Sequence, residues 1–194
     1  MNKNIILCGV GGQGTVLASK LIAASAMEKG LKVMSAETIG MAQRGGNVFS
    51  NIRISDEAEM YAPMIGQGQA DLILGFEPGE TVRMLPFLKK GGYVITNIPP
   101  VKPTTATLMG STYGGDEMIS YLKTVIPEDH LLIVDGTQAI SELGNPRCLN
   151  VVLLGAAVRT GALGLTEDDI LNSMPKVIKP KFLALNEQAF RYVK

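Results

Sequence analysis

Six residues, Gly9-Val10-Gly11-Gly12-Gln13-Gly14, lie between the apolar run Ile5-Ile6-Leu7-Cys8 and a helix-prone stretch from Thr15 to Lys29. A strand that turns through glycines into a helix is the opening unit of a parallel sheet covered by helices. It also creates an anion-receptive point. The first N–H groups of the helix have no intrahelical partner and sit at the positive end of its dipole. Gly9, Gly11 and Gly14 have the spacing of the dinucleotide fingerprint, which also arises in folds that bind no dinucleotide.

The rest of the chain continues the alternation. Strands are predicted over residues 4–8, 31–36, 71–76, 93–98 and 131–135. Helices are predicted over 12–29, 77–90, 116–125 and 138–143. Gly30 fits a helix C-cap, and Glu77-Pro78 puts proline in a first helical turn. Between residues 47 and 55, Val48, Ser50, Ile52 and Ile54 point one way, while Asn47, Phe49, Asn51 and Arg53 point the other. That pattern describes a strand with one wetter face, antiparallel or at an edge. From residue 146 onward the pattern is helical, with helices at 149–159, 166–173 and 180–193. Thr166 and Asp169 resemble an N-cap and its acidic third helical position. The expected fold is α/β: a Rossmann-like doubly wound, mostly parallel sheet with an antiparallel or edge strand and a C-terminal helical tail. One domain over residues 1–194 is expected, with 146–194 packing on it. Residues 9–14, 37–46, 75–78, 97–102 and 135–137 all fall at strand carboxyl ends, where such sheets collect ligands, and should converge.

The chemistry-bearing residues are sparse. The 194 residues carry no formal net charge, so there is no broad basic footprint for nucleic acid. No stretch approaches the roughly 18 apolar residues of a membrane span. The N-terminus enters a strand with no secretory pattern. Cys8 and Cys148 are the only cysteines; a disulfide framework is not expected, and a cytoplasmic location fits. Two distant cysteines and one histidine do not make a closed zinc or iron–sulfur site. No Walker-type lysine follows the glycine turn. His130, the sole histidine, should enter a strand from its amino end as a surface or strand-start residue. Glu37 lies about 20 residues beyond the turn, where an acid can hold an NAD ribose, although no proton-transfer pair accompanies it. Arg44 offers a rigid charged fork for a carboxylate or phosphate, with Gly45-Gly46 allowing a close bend; the alternative is a bulge with Arg44 solvated. Asn97 and Asp135 either orient a ligand or cap the following turn. Among ten methionines, Met27 and Met34 read as core, while Met41, Met60 and Met64 fit a partner surface as well as core. The long loop 99–112 flags function or partner contact.

The turn Gly9-x-Gly11-Gly12-Gln13-Gly14, followed by Arg44-Gly45-Gly46 and Asn47-Val48-Phe49-Ser50-Asn51-Ile52-Arg53-Ile54-Ser55, resembles the gamma domain of 2-oxoacid:ferredoxin oxidoreductases. The tail agrees through Asn150-Val151-Val152-Leu153-Leu154-Gly155-Ala156, Pro180-Lys181-Phe182 and Asn186-Glu187-Gln188-Ala189-Phe190. Within that family the chain most resembles the small, beta subunits of indolepyruvate enzymes. Gamma subunits of pyruvate or 2-oxoglutarate enzymes are near neighbours. The resemblance implies oxidative decarboxylation of a 2-oxo acid to an acyl-CoA, with electrons passing to ferredoxin. It also implies a large alpha subunit that holds thiamine diphosphate and 4Fe-4S clusters, with CoA as cosubstrate and no cofactor firmly held by this chain. On that reading Gly9, Gly11, Gly12, Gln13, Gly14, Arg44, Gly45 and Gly46 line a cofactor-binding wall or brace the subunit interface, and no catalytic or metal-ligating residue is assigned. A homodimer in isolation remains open. So do a stand-alone NAD(P)-dependent dehydrogenase and a CoA- or nucleotide-binding module.

Overall fold

The computed structural model describes residues 1–40, 46–56, 60–102 and 113–193. Its centre is a six-stranded sheet in the order β2-β3-β1-β4-β5-β6. The strands are β1 (Asn2–Val10), β2 (Lys32–Ile39), β3 (Asn47–Ser55), β4 (Ala70–Gly75), β5 (Leu88–Asn97) and β6 (Leu131–Val134). β1, β4, β5 and β6 pair in parallel, whereas β3 pairs antiparallel with both β1 and β2. The alternation of residues 47–55 thus correctly marks an antiparallel strand. It is an interior one, because β2 and not β3 takes the edge.

The register explains the alternation. Ile52 lies opposite Ile5 and Ile54 opposite Lys3, with Ile52 and Ile54 facing the main core. Asn51, opposite Ile6, faces the other way. The nominally wet face is nonetheless closed over Asn51, which is 2% exposed. Its carboxamide oxygen accepts the Ile65 N–H at 3.3 Å, and Arg53 donates to the Ala62 carbonyl at 2.9 Å.

Helices cover both faces. α1 (Thr15–Glu28) and the C-terminal helices α5 (Leu149–Arg159), α6 (Glu167–Val177) and α7 (Leu183–Phe190) share one core with Ile5, Leu7, Leu72, Leu74 and Ile95. α2 (Pro78–Met84) and α3 (Asp116–Val125) lie on the other face, over Ile6, Cys8, Ile73 and Val94. α4 (Gly136–Leu143) follows β6. α5 is apolar on all sides and buried from Leu149 to Val158, so it behaves as core rather than as an appended tail.

Two expected boundaries shift for local reasons. α1 begins at Thr15 instead of residue 12, because Gly14 adopts a left-handed conformation (φ 83°). The helix expected over 77–90 stops at Met84. Pro86 lacks the N–H needed to continue it, and Leu85–Phe87 tightens to a 3-10 turn before β5. Met27, expected in the core, is 65% exposed on the last turn of α1, where the helix overhangs the sheet edge at β2. Met64 is also exposed, at 53%. Among the described residues, no helix is long and apolar enough to cross a membrane.

Candidate functional site

At the carboxyl end of β1 the chain folds back on itself before α1. The Gln13 N–H donates to the Val10 carbonyl at 3.2 Å. Its side chain then works in both directions. The carboxamide oxygen accepts the Val10 N–H at 2.7 Å, and the NH2 donates to the Phe76 carbonyl at 2.9 Å. Gln13 therefore bolts the turn to the end of β4. This also explains Gly9: a Cβ there would lie 2.6 Å from the Gln13 oxygen and 2.8 Å from the Phe76 Cβ.

Gly11 donates its N–H to the Gly46 carbonyl at 2.9 Å, joining the turn to the start of β3. Gly14 is the N-cap of α1, with no side-chain cap, and its carbonyl accepts the Asn150 NH2 at 3.2 Å. A Cβ on Gly14 would meet that NH2 at 2.7 Å. Gly12 alone faces open space, is exposed and has φ 99°. Gly11 and Gln13 spend their own N–H groups inside the fold, on the Gly46 and Val10 carbonyls, so Gly12 is the exposed residue of the turn.

The neighbouring strand ends converge as expected. The Asn97 NH2 donates to the same Phe76 carbonyl at 3.2 Å, and its oxygen accepts the Gly136 N–H at 3.0 Å. The Asp135 carboxylate caps α4 through the Thr137 and Gln138 N–H groups at 2.9 and 3.2 Å. Capping, one of the two roles open for Asp135, is the one observed. Arg44 and Gly45 lie outside the described residues, whereas Gly46 stands beside Gly11.

Glu77 carries no signal in the sequence beyond its place before Pro78, yet it is central here. It is 3% exposed and caps α2 by accepting the Glu80 N–H at 2.9 Å. Its other carboxylate oxygen accepts the Tyr113 hydroxyl at 2.5 Å and the Val101 N–H at 3.4 Å. Burial raises the Glu80 carboxyl above its ordinary range, with Glu77 adding to the effect and Arg83 opposing it. Below them, Cys8 is wholly buried, and burial first, then the Glu80 and Glu77 charges, push its thiol far up.

One expectation fails on position, and another holds. Glu37 is exposed on β2, opposite Ser50, and β3 separates it from β1. At about 4.8 Å per strand, it sits roughly 10 Å from the strand that feeds the turn, one strand further than an adjacent second strand would place it. The ribose role therefore has no geometric basis. His130 stacks on Tyr93 (centroids 4.4 Å apart), with Nδ1 3.2 Å from the Gly92 carbonyl oxygen, at the amino end of β6. That is the end of the sheet away from the turn, as its strand-start reading required.

These features define an α/β protein whose strand ends are gathered by a glycine turn and braced by side-chain amides. Residues 4–193 match the pyruvate ferredoxin/flavodoxin oxidoreductase family, and the chain belongs to it. It is 36% identical over 190 residues to the indolepyruvate oxidoreductase subunit IorB of Thermococcus kodakarensis, covering 96% of this chain and 92% of that one. It is 29% identical over 181 residues to the common gamma subunit of pyruvate/ketoisovalerate oxidoreductases from the same organism, covering 90% and 83%. The crystal structure of a keto/oxoacid ferredoxin oxidoreductase gamma subunit from Geobacter sulfurreducens superposes with a TM-score of 0.67. It covers 97% of this chain and 94% of that one at 23% identity, a likeness of fold.

Proposed function

We propose that the chain is the small, non-autonomous subunit of a thiamine-dependent 2-oxoacid:ferredoxin oxidoreductase, with indolepyruvate or another arylpyruvate as the substrate of the assembled enzyme. The reaction is oxidative decarboxylation to an acyl-CoA, with two electrons leaving to ferredoxin. The observation that carries this reading is the make-up of the cleft. Gln13, Asn97 and Glu77 spend their side-chain polar atoms on holding the chain, and Asp135 spends one carboxylate oxygen on capping α4. The exposed backbone at Gly12 suits recognition of a ligand or partner. The extent of the likeness to the indolepyruvate subunit supports the substrate class.

Thiamine diphosphate, held by the large alpha subunit, supplies the electron sink for loss of carbon dioxide. Iron–sulfur clusters also belong to the partner. Among the described residues no group of three or more His, Cys, Asp or Glu is placed to hold a metal, and both cysteines are buried. This chain contributes Gly11 to Gly14 and, with Gly45 and Gly46, Arg44. Together they form an anion-receptive wall for a CoA phosphate or the substrate carboxylate. The whole chain acts as one unit, in the cytoplasm, where two buried thiols stay reduced.

Co-expression with the large subunit tests the assignment. The complex should turn over indolepyruvate faster than pyruvate. The reverse preference would favour the gamma subunit of a pyruvate enzyme, the reading that the pyruvate/ketoisovalerate relative supports. Arg44→Ala should weaken CoA binding to the complex about tenfold, roughly one charge-assisted contact. Unchanged binding removes Arg44 from the wall. Turnover of NADH by the isolated chain would overturn the proposal.

A further inference from the structure

Glu77 joins parts of the cleft that are distant in sequence. One carboxylate oxygen receives the Tyr113 hydroxyl at 2.5 Å and the Val101 N–H at 3.4 Å, so the last residues before 103–112 and the first after it are held at one atom. The other oxygen receives the Glu80 N–H at 2.9 Å. The preceding residue, Phe76, donates its N–H to the Cys8 carbonyl at 2.8 Å and receives both the Gln13 and Asn97 amides on its own carbonyl. The peptide between Phe76 and Glu77 is therefore shared by two networks, the glycine turn on one side and the Val101 and Tyr113 stems on the other. Its freedom to move is small. Gly75 leaves no room for a Cβ, which would lie 1.7 Å from the Thr81 hydroxyl, and that hydroxyl is bonded to the Glu77 carbonyl at 2.8 Å. A buried carboxylate that accepts three donors and lies 3% exposed is costly unless all three are kept.

We propose that Glu77 is a positioning residue, which couples the Val101 and Tyr113 stems to the glycine turn through the Phe76 carbonyl and so fixes the place of the turn and of its exposed Gly12. Glu77 touches no ligand in this role. It acts through Gln13, whose carboxamide reaches from Phe76 to the Val10 N–H. The part of the proposal that concerns cosubstrate rests on the reading of the turn as a CoA- or carboxylate-receptive wall.

Amide hydrogen exchange on the full chain tests the coupling. The Val101 N–H reports the stem, and the Val10 N–H reports the turn. Tyr113→Phe removes one hydroxyl and should lower the thermal midpoint; beyond the uniform rise this causes in core strand β4, it should speed exchange at Val101 by about tenfold and at Val10 by about threefold. Glu77→Gln, which keeps the size of the side chain, should produce the same pattern more strongly. Faster exchange at Val101 with Val10 unaffected, or no change at either, overturns the coupling. In the complex with the large subunit, Tyr113→Phe should raise the KM for CoA about threefold at unchanged kcat. Altered Val10 exchange with an unchanged KM overturns the link to the cosubstrate and leaves the coupling itself standing.

Discussion

Gln13 is the residue that turns a generic glycine loop into this particular one. Its carboxamide replaces ligand contacts with two internal bonds, so the ligand-reading capacity of the turn rests on backbone. The two cysteines show the same economy of reactivity. Burial raises both thiols, Cys8 far more than Cys148, and their exposures are 0% and 2%. The native chain should therefore show no thiol reacting with an aromatic disulfide reagent within minutes, and two after denaturation. Rapid labelling of either in the folded chain would contradict the packing. Asp169 carries a pH signature. Partial burial works against its ionisation, but the Lys29 ammonium and the Thr166 N–H and hydroxyl outweigh that and hold it below the ordinary carboxylate range. Because the folded-state pKa is the lower one, the unfolded chain binds more protons between the two values. The stabilisation is complete above about pH 4 and is lost as pH falls through the folded value. Asp169→Asn should flatten the acid limb of a urea-midpoint-against-pH curve, while Thr166→Ala should cost about 1 kcal/mol across it.

At the scale of elements, the motif segments of the tail acquire a physical reason. Gly155, in the middle of α5, lies under the last turn of α7, and a Cβ there would come within 2.0 Å of the Phe190 carbonyl oxygen. Asn150, one turn earlier, supplies the amide that holds Gly14. α5 is therefore the post to which both the glycine turn and the C-terminal helix are fixed. Gly155→Ala should destabilise by about 1–3 kcal/mol through overpacking against backbone that has nowhere to go. For a chain of this size that is a drop of about 2–4 °C in Tm per kcal/mol. An unchanged Tm would mean that α7 docks more loosely than the structure shows. The helix over 149–159 was legible because its run of apolar residues fits complete burial. Its role as post was not, since no local pattern says which backbone it will touch.

For the molecule as a whole, the C-terminal helices are part of the core and not a cover on it. Phe190 is 1% exposed and shares a cluster with Leu7, Leu72 and Leu154. Removing residues 183–194 should abolish cooperative urea unfolding, since the apolar wall of α5 is then left in water. A soluble truncated chain with the wild-type midpoint would show that the tail is dispensable. The exposed Met27 and Tyr61 line a groove of about 610 Å³ beside β2, together with Met34 and Met60. Of Met27 and Met34, both expected in the core, Met34 within β2 is half-buried and Met27 on the last turn of α1 is exposed. There an apolar residue meets the core only if a neighbouring element reaches that far.

Much of this protein was readable before its coordinates. The strand–turn–helix start, the antiparallel character of residues 47–55, the helices at 116–125 and 149–159, and the capping box at Thr166 follow from periodicity and backbone chemistry, which act over a few residues. The Gly-Gly-Gln-Gly turn and the tail motifs were enough to place the chain in its family. The tertiary structure decided the rest, because those facts depend on residues far apart in sequence. The insertion of β3 between β1 and β2 moves Glu37 away from the turn. The donors from Gln13 and Asn97 meet at one carbonyl. Glu77 is buried among Glu80, Val101 and Tyr113. A carboxylate before a proline looks the same in any loop; only the long-range packing that removes water around it makes it a fixed point of the cleft.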